Sequence, residues 1–395
     1  MVDGSSGNVS EMDVWQIVLV SALLAPGWAK LLAIGLNWVH GCPWPPVVLW
    51  STRKLNDVLV FLLPVLHAVW LGNGGEITSS IGLLAAALSA IGSILLVRDA
   101  WRYQFSVDPA WEVDKQVEIR TWPSGHPARK IGRGHGSKLA RFPGNEQYSL
   151  SIVRREWVLD DLPPDFGELT ITHFSDAHFR GAVTRAWYEE VLQEAADFRS
   201  DLVVFTGDLL DDEHLLEWVP ATFGRLHARL GCYFLLGNHD RPFDVAAIRQ
   251  SLERLGWQDA AGRGVILHDG PRQIFLAGTE YPWMGEHPSQ LSATKASLRV
   301  LLSHTPDNVE WSVEHGFDVV LAGHTHGGQI RLPILGPVYS PSRYGVRYSA
   351  GIFDVSGVKM HVSFGLSGRE PLRINCRPEI TQLVLRPRQA VPPIA

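Results

Sequence analysis

The stretch Leu321–Ile330, LAGHTHGGQI, sets two histidines one residue apart, just after the apolar run VVLA. Four patches upstream share that design. FSDAH (174–178) holds Asp176 and His178, FTGD (205–208) holds Asp208, LLGNHD (235–240) holds Asn238, His239 and Asp240, and LLSHTPD (301–307) holds His304. Each patch follows or closes a short apolar run, LTITHF, LVVFT, YFLL, VLL or VVLA, with the length and composition of a buried strand. Candidate ligands therefore collect where several strands end. In layered α/β folds the loops beyond the strand ends form the crevice that binds ligands.

Spacing adds chemistry. Residues two apart in an extended segment point to one side, so Asp176 and His178 are expected to share one ion, whereas His324 and His326 in a turn are expected to reach two neighbouring ions. Gly207, Gly237 and Gly323 each directly precede a candidate ligand, and a missing Cβ lets the backbone bring these groups together. A lone His178 or His304 reads as a satisfied core histidine; the series of seven donors reads as a metal site. Asp211 and Asp212 stand where a helix is expected to begin, a place the helix dipole alone favours for acidic residues, and they are assigned a structural role. Arg180 reads as an exposed loop arginine. Trp283, in the apolar loop Tyr281–Met284, reads either as a buried residue or as a membrane contact.

In order, the blocks Asp-x-His, Gly-Asp, Gly-Asn-His-Asp, His and Gly-His-x-His resemble the calcineurin-like metallophosphoesterases over roughly residues 148–385. GHTHGGQIRLP, YSAGIF and NCRPEITQLVL are most similar to the bacterial YkuE- and YaeI-type branch. GDLLDD and GNHD, in place of GDxxDRG and GNHE, separate the chain from the Ser/Thr protein phosphatases. The resemblance implies two divalent metal ions, one on Asp176, His178, Asp208 and His326, the other on Asp208, Asn238, His304 and His324. It makes Asp208 the bridge and a metal-bridging hydroxide the nucleophile. His239 would protonate the leaving oxygen and Asp240 would orient it. Ligands of His, Asp and Asn without Cys suit Mn, Fe, Zn or Co.

Strand-like runs alternate with helical stretches such as RAWYEEVLQEAADF, and the late strands RYSAGIFDV, KMHVSFG and ITQLVLR follow without helices between them. An α/β fold of two sheets flanked by helices is expected, and the resemblance implies a four-layer αββα sandwich.

The first hundred residues have another character. Val14–Leu36 is almost entirely apolar apart from Gln16 and Lys30, Val58–Leu71 is apolar around Pro64 and His67, and Ile81–Val97 carries no charge. Trp15, Trp28, Trp38, Trp44, Trp50, Trp70 and Trp101 crowd near the segment ends, as interfacial anchors do. A spanning helix needs about 20 apolar residues, with about 17 as a lower limit. The first and third segments qualify and the second is marginal, so three transmembrane helices are expected within 14–97. The alternatives are a helical domain with buried helices and a hairpin dipping into one leaflet.

Charge sets an expected orientation. Asp3, Glu11 and Asp13 precede the first segment, Arg53 and Lys54 follow it, only Glu76 lies in the next loop, and Arg98 and Arg102 follow the third. The positive-inside rule then puts the tail outside and the catalytic domain in the cytoplasm. The acidic tail is unlike the basic start of a signal peptide.

Between these segments and the motifs lies a Gly/Pro-rich basic stretch that reads as a linker, with cations that anionic headgroups attract by about 1 kcal/mol each. The expected organisation is a tail over 1–13, a membrane region over 14–97, a linker over 98–146, a catalytic domain over 147–388 and a tail over 389–395. At 395 residues the chain exceeds one ordinary domain, and a net charge of −6 gives no global pull towards nucleic acid. Cys42, Cys232 and Cys376 form no CxxC pair, so no disulfide framework is expected.

The expected function is a cell-membrane phosphoesterase cleaving a phosphodiester or pyrophosphate bond, with a lipid or lipid-linked nucleotide as substrate and membrane lipids as partners. No specific nucleic-acid or protein partner is indicated. The alternatives are a tethered phosphodiesterase acting on soluble nucleotides or nucleic acid, and a non-catalytic metal-binding scaffold.

Overall fold

Three apolar runs become three long helices. The computed structural model describes residues 12–270, 272–289, 291 and 296–388. In it α1 (Val14–His40), α2 (Pro46–Gly72) and α3 (Ser80–Gln104) are long and apolar enough to cross a membrane. The marginal second run continues through Pro64 as one helix of 27 residues, about 40 Å long. The expected tails, all but the last two residues of 1–13 and all of 389–395, lie outside the described residues.

Small residues set how α1 and α3 pack. A Cβ on Gly92 would fall 2.0 Å from the carbonyl oxygen of Gly27, and Ser89 Oγ donates to the Leu24 carbonyl at 2.8 Å. Such close approach is how helices associate in lipid, where apolar burial gives no drive. Lys30 Nζ meets Asp99 at 2.6 Å, with only 3% and 13% of the side chains exposed. Val18, Leu23, Phe61, Leu84 and Ile94 face outward instead.

The remaining chain builds two sheets. The first contains β1 (Glu112–Thr121), β2 (Ser149–Leu159), β3 (Leu169–Phe174), β4 (Leu202–Thr206), β5 (Cys232–Leu235) and β6 (Trp257–Asp259). The second contains β7 (Gly264–Asp269), β8 (Arg272–Thr279), β9 (Leu298–Ser303) and β10 (Val319–Ala322). A small hairpin, β11 (Arg331–Leu332) with β12 (Gly336–Pro337), leads to β13 (Gly351–Val355) and β14 (Val358–Val362) of the second sheet and β15 (Glu379–Pro387) of the first. The orders are β1-β2-β15-β3-β4-β5-β6 and β13-β14-β10-β9-β8-β7. The last strand thus enters the middle of the first sheet, parallel to β2 and antiparallel to β3.

Burial orders the layers. Ile171, Leu202, Val204 and Leu235 of one sheet pack against Leu276, Val300, Leu302, Val319 and Leu321 of the other. On the outer face of the first sheet, Trp187, Tyr188, Val191 and Leu192 of the helix Arg185–Asp197 are fully buried. Helix Val309–Glu314 packs outside the second sheet. Helix, sheet, sheet and helix make the αββα sandwich. Among the described residues Cys232 and Cys376 are buried, Cys42 is half-buried, and all three are free thiols.

Residues 98–146 are not the expected linker. α3 runs on to Gln104, β1 pairs with β2 from Glu112↔Trp157 to Thr121↔Ser149, and Trp122 and Ala128 join the core. β1 reads as EVDKQVEIRT because it is an edge strand with nearly every side chain exposed. Charges there protect an open edge from pairing with other chains. Arg120 is also engaged, with Glu194 at 2.5 Å.

Helices and sandwich are docked. Ser340 N donates to Asn37 Oδ1 at 3.3 Å, the rings of His40 and Tyr339 meet edge to face, and a Cβ on Gly41 would lie 2.8 Å from Arg343 N. Gln104 Nε2 donates to the carbonyls of Pro333 and Ile334, both at 3.0 Å. The C-terminal ends of α1 and α3 therefore lie beside the sandwich.

Candidate metal centre

The seven candidate ligands follow the C-terminal ends of five parallel strands: β3 and β4, then β5, and β9 and β10 of the facing sheet. Both sheets feed one crevice, as strand ends in α/β folds do. The local backbone differs from the expected extended alternation. Asp176, His178, Asp208, His324 and His326 have φ of 54°, 45°, 59°, 74° and 51°, a left-handed region that costs a side-chain-bearing residue about 1–3 kcal/mol. Asp176 and His178 are brought together by this turning of the chain. Gly237 is needed for a different reason, since a Cβ there would lie 2.0 Å from Asp208 Oδ1.

Side-chain atoms of Asp176, His178, Asp208 and His326 converge within 4.8 Å of one another, as do those of Asp208, His304 and His324. Asn238 Oδ1 joins the second group, 3.0 Å from His304 Nε2. Three imidazoles are anchored through Nδ1: His178 to Asp211 at 3.1 Å, His304 to the Thr206 carbonyl at 2.7 Å and His326 to the Ser367 carbonyl at 2.9 Å. Their Nε2 atoms turn inward, those of His178 and His326 only 3.3 Å apart. An outer partner that fixes ring and tautomer is the usual support of a ligating histidine.

Unpartnered atoms show that the residues fit cations. Asp208 Oδ2 and both ring nitrogens of His324 are buried without a hydrogen-bond partner among the described residues. Such groups are costly unless something binds them. Burial pushes the Asp208 carboxyl up, yet the imidazoles of His304, His239 and His178 outweigh it and hold it well below the usual range. Burial, helped by neighbouring imidazoles, holds His324 and His326 well below theirs, in the neutral form a ligand needs. The arrangement suits a dinuclear metal site, with Asp208 common to both clusters.

Two carboxylates exchange their expected parts. Asp211, assigned to helix capping, has Oδ1 2.6 Å from His239 Nδ1 and Oδ2 3.1 Å from His178 Nδ1. It is therefore the carboxylate that orients His239. Asp240, expected in that part, is fully buried and accepts from the backbone N–H groups of Leu209, Leu210 and Gly237. It braces the turn that presents Asp208. Asp212 does cap, accepting from His214 N at 3.1 Å. Against burial, Asp211 and Asp208 raise the His239 imidazole to about 9. No spacing rule marks Asp211, because its partners lie 33 residues before it and 28 after it.

The cavity above the cluster measures about 500 Å³. Trp283 is buried, its ring 4.5 Å from that of His324. Arg180 lines the cavity, donating to the Arg369 carbonyl at 2.9 Å. His40, Leu49, Trp50 and Arg53 line it as well, all from the membrane region. Of these, Trp50 carries the signal of a bilayer anchor and Arg53 that of a flanking charge, so neither is marked as a site residue in the sequence.

Comparison with known proteins gives the family of the chain. The model of the calcineurin-like phosphoesterases matches residues 169–328. The metallophosphoesterase YkuE of Bacillus subtilis is 32% identical over 270 residues, 66% of this chain and 93% of that protein. A transmembrane protein with a metallophosphoesterase domain from Danio rerio is 28% identical over 60% of this chain and 57% of its own length. The UDP-2,3-diacylglucosamine pyrophosphatase LpxG of Chlamydia trachomatis is 27% identical over 47% of this chain and 71% of its own length.

Proposed function

Because the chain belongs to the calcineurin-like phosphoesterases and is a metal-dependent phosphoester hydrolase, we propose that it cleaves a phosphodiester or pyrophosphate bond of a lipid or lipid-linked nucleotide at the membrane surface. The observation that carries this reading is the composition of the cavity wall. Asp208, Asn238, His239, His324 and His326 line one side and His40, Leu49, Trp50 and Arg53 of α1 and α2 line the other. A substrate reaching the metal residues passes along helices built for a bilayer. The relative LpxG, named as a pyrophosphatase of a diacylated sugar nucleotide, supports the same class.

Asp176, His178, Asp208 and His326 would hold one divalent ion and Asp208, Asn238, His304 and His324 the other. When bound, the pair supplies water acidified for attack and positive charge that offsets the charge growing on the phosphoryl oxygens. The chain's own part is proton placement. Asp211 fixes His239 through Nδ1 and leaves Nε2 without a protein partner among the described residues, in position to protonate the leaving oxygen. All three helices span in this reading. Arg53, Lys54, Arg98 and Arg102 then lie on the sandwich side, and the positive-inside rule supports catalysis on the cytoplasmic face.

The test is turnover by the full-length protein in vesicles, with metal content measured on the same sample. Hydrolysis of a bilayer-embedded phosphoester well above that of soluble nucleotides supports the reading. Turnover confined to soluble nucleotides overturns it.

A further inference from the structure

α2 begins inside the active site. Its first turns carry Leu49, Trp50 and Arg53 into the cavity wall, where Arg180 and Arg369 also lie. Arg180 is already engaged, with the Arg369 carbonyl at 2.9 Å and Asp211 at 3.7 Å. Arg53 and Arg369 are not: among the described residues neither guanidinium has an ion pair or hydrogen bond. The acidic residues of the wall, Asp208 and Asp211, are themselves held by His304, His178 and His239. Two free guanidinium groups thus share a cavity with a cluster suited to one phosphoryl group. Guanidinium groups match phosphate oxygens with paired donors, so the cavity has a place for a second anion beside the one being cleaved.

The height of the cavity identifies the bearer of that anion. Trp38, Trp44, Trp50 and Trp101 lie at the helix ends beside the sandwich and are 54%, 45%, 59% and 62% exposed. Exposed tryptophans at one set of helix ends mark the headgroup level of a bilayer. Below Trp50 the surface of α2 continues with exposed Leu55, Val58 and Phe61, a face that acyl chains cover.

We propose that Arg53, together with Arg369, grips the second phosphate of a diphosphate-bearing amphiphile whose hydrocarbon stays in the bilayer beside α2. This makes Arg53 a specificity-determining residue contributed by a membrane helix. The inference rests on the lipid reading above and narrows it to diphosphate-linked lipids. In the reaction one P–O bond of the P–O–P bridge breaks. Water adds its oxygen to the attacked phosphorus, the departing phosphate oxygen takes a proton, and two phosphomonoesters result.

The experiment uses full-length protein in vesicles and three substrates: a diphosphate-linked lipid, a lipid with a single phosphodiester, and a soluble aryl phosphodiester. Arg53→Gln should lower kcat/KM on the diphosphate lipid about tenfold, the worth of one charge-assisted contact, and at least fivefold more than on the other two. Arg53→Lys should recover part of the loss. Lys54→Gln, which removes the neighbouring cation outside the cavity, should leave all three rates unchanged. Equal losses by Arg53→Gln on every substrate, or an equal effect of Lys54→Gln, overturns the clamp while sparing the lipid reading. Wild-type turnover of the soluble diester with neither lipid cleaved overturns the lipid reading and the clamp with it.

Discussion

Asp211 Oδ1 lies 2.6 Å from His239 Nδ1 while its other oxygen reaches His178, so one carboxylate serves a candidate metal ligand and the candidate acid together. Asp211→Asn should therefore lower kcat by about 10–100-fold and weaken metal affinity, the usual cost of losing an outer partner. The paired readout is kcat with metal content. Loss of neither would remove Asp211 from the site.

Asp208→Asn should abolish activity and lower the metal content of both positions, because its carboxylate is common to both clusters. His239→Ala should keep most of the metal and lose about 10²–10⁴-fold in rate, the worth of a placed acid. Elemental analysis beside kinetics separates the two. Equal metal loss in both variants would show the division of roles to be wrong.

Removal of the membrane helices should succeed only with β1 retained. A chain starting near residue 108 keeps the β1 and β2 pairing and the buried Trp111 and Trp122, and it should be soluble and cleave a small diester. A chain starting at residue 147 bares the edge of β2, an invitation to aggregate. Size-exclusion chromatography of both decides, and equal behaviour would show β1 to be dispensable.

Asp201 should make stability depend on pH. It accepts from Thr170 N and Thr170 Oγ1, both at 2.9 Å, and pairs with Arg229 at 2.7 Å. Burial pushes its carboxyl up, but these partners outweigh burial and hold it below its ordinary value. A depressed folded value means that the stabilisation is fully present above the unfolded value, near about 3.9, and is lost as pH falls through the folded one. Asp201→Asn should thus cost about 1–2 kcal/mol at pH 7 and progressively less on acidification. Thermal unfolding of both proteins between pH 7 and pH 3 shows it, and a pH-independent gap would refute the assignment.

Much of this molecule is legible in its sequence where local chemistry repeats. Apolar runs ending in Asp, Asn or His mark both the strands and the donors they deliver, and long apolar runs mark the three helices. Partners distant in sequence are not legible. Asp211 looked like a helix start because its role comes from His178 and His239. Asp240 adjoins His239 in sequence, yet its side chain turns to the backbone of the Asp208 loop. β1 looked like a linker because exposure at a sheet edge and exposure in a loop select the same residues. Arg53 looked like a topology signal because only the docking of α1 onto Ser340 and Tyr339 brings the start of α2 to the cavity.

The Lys30 and Asp99 pair has a consequence for biogenesis. Lys30 lies in the interior of α1, and its counter-ion comes only from near the end of α3. Until α3 is made, α1 holds a cation whose buried partner is missing. By itself α1 is therefore an incomplete helix, matched only once α3 has been made, so that the two are expected to assemble as a pair and not one at a time.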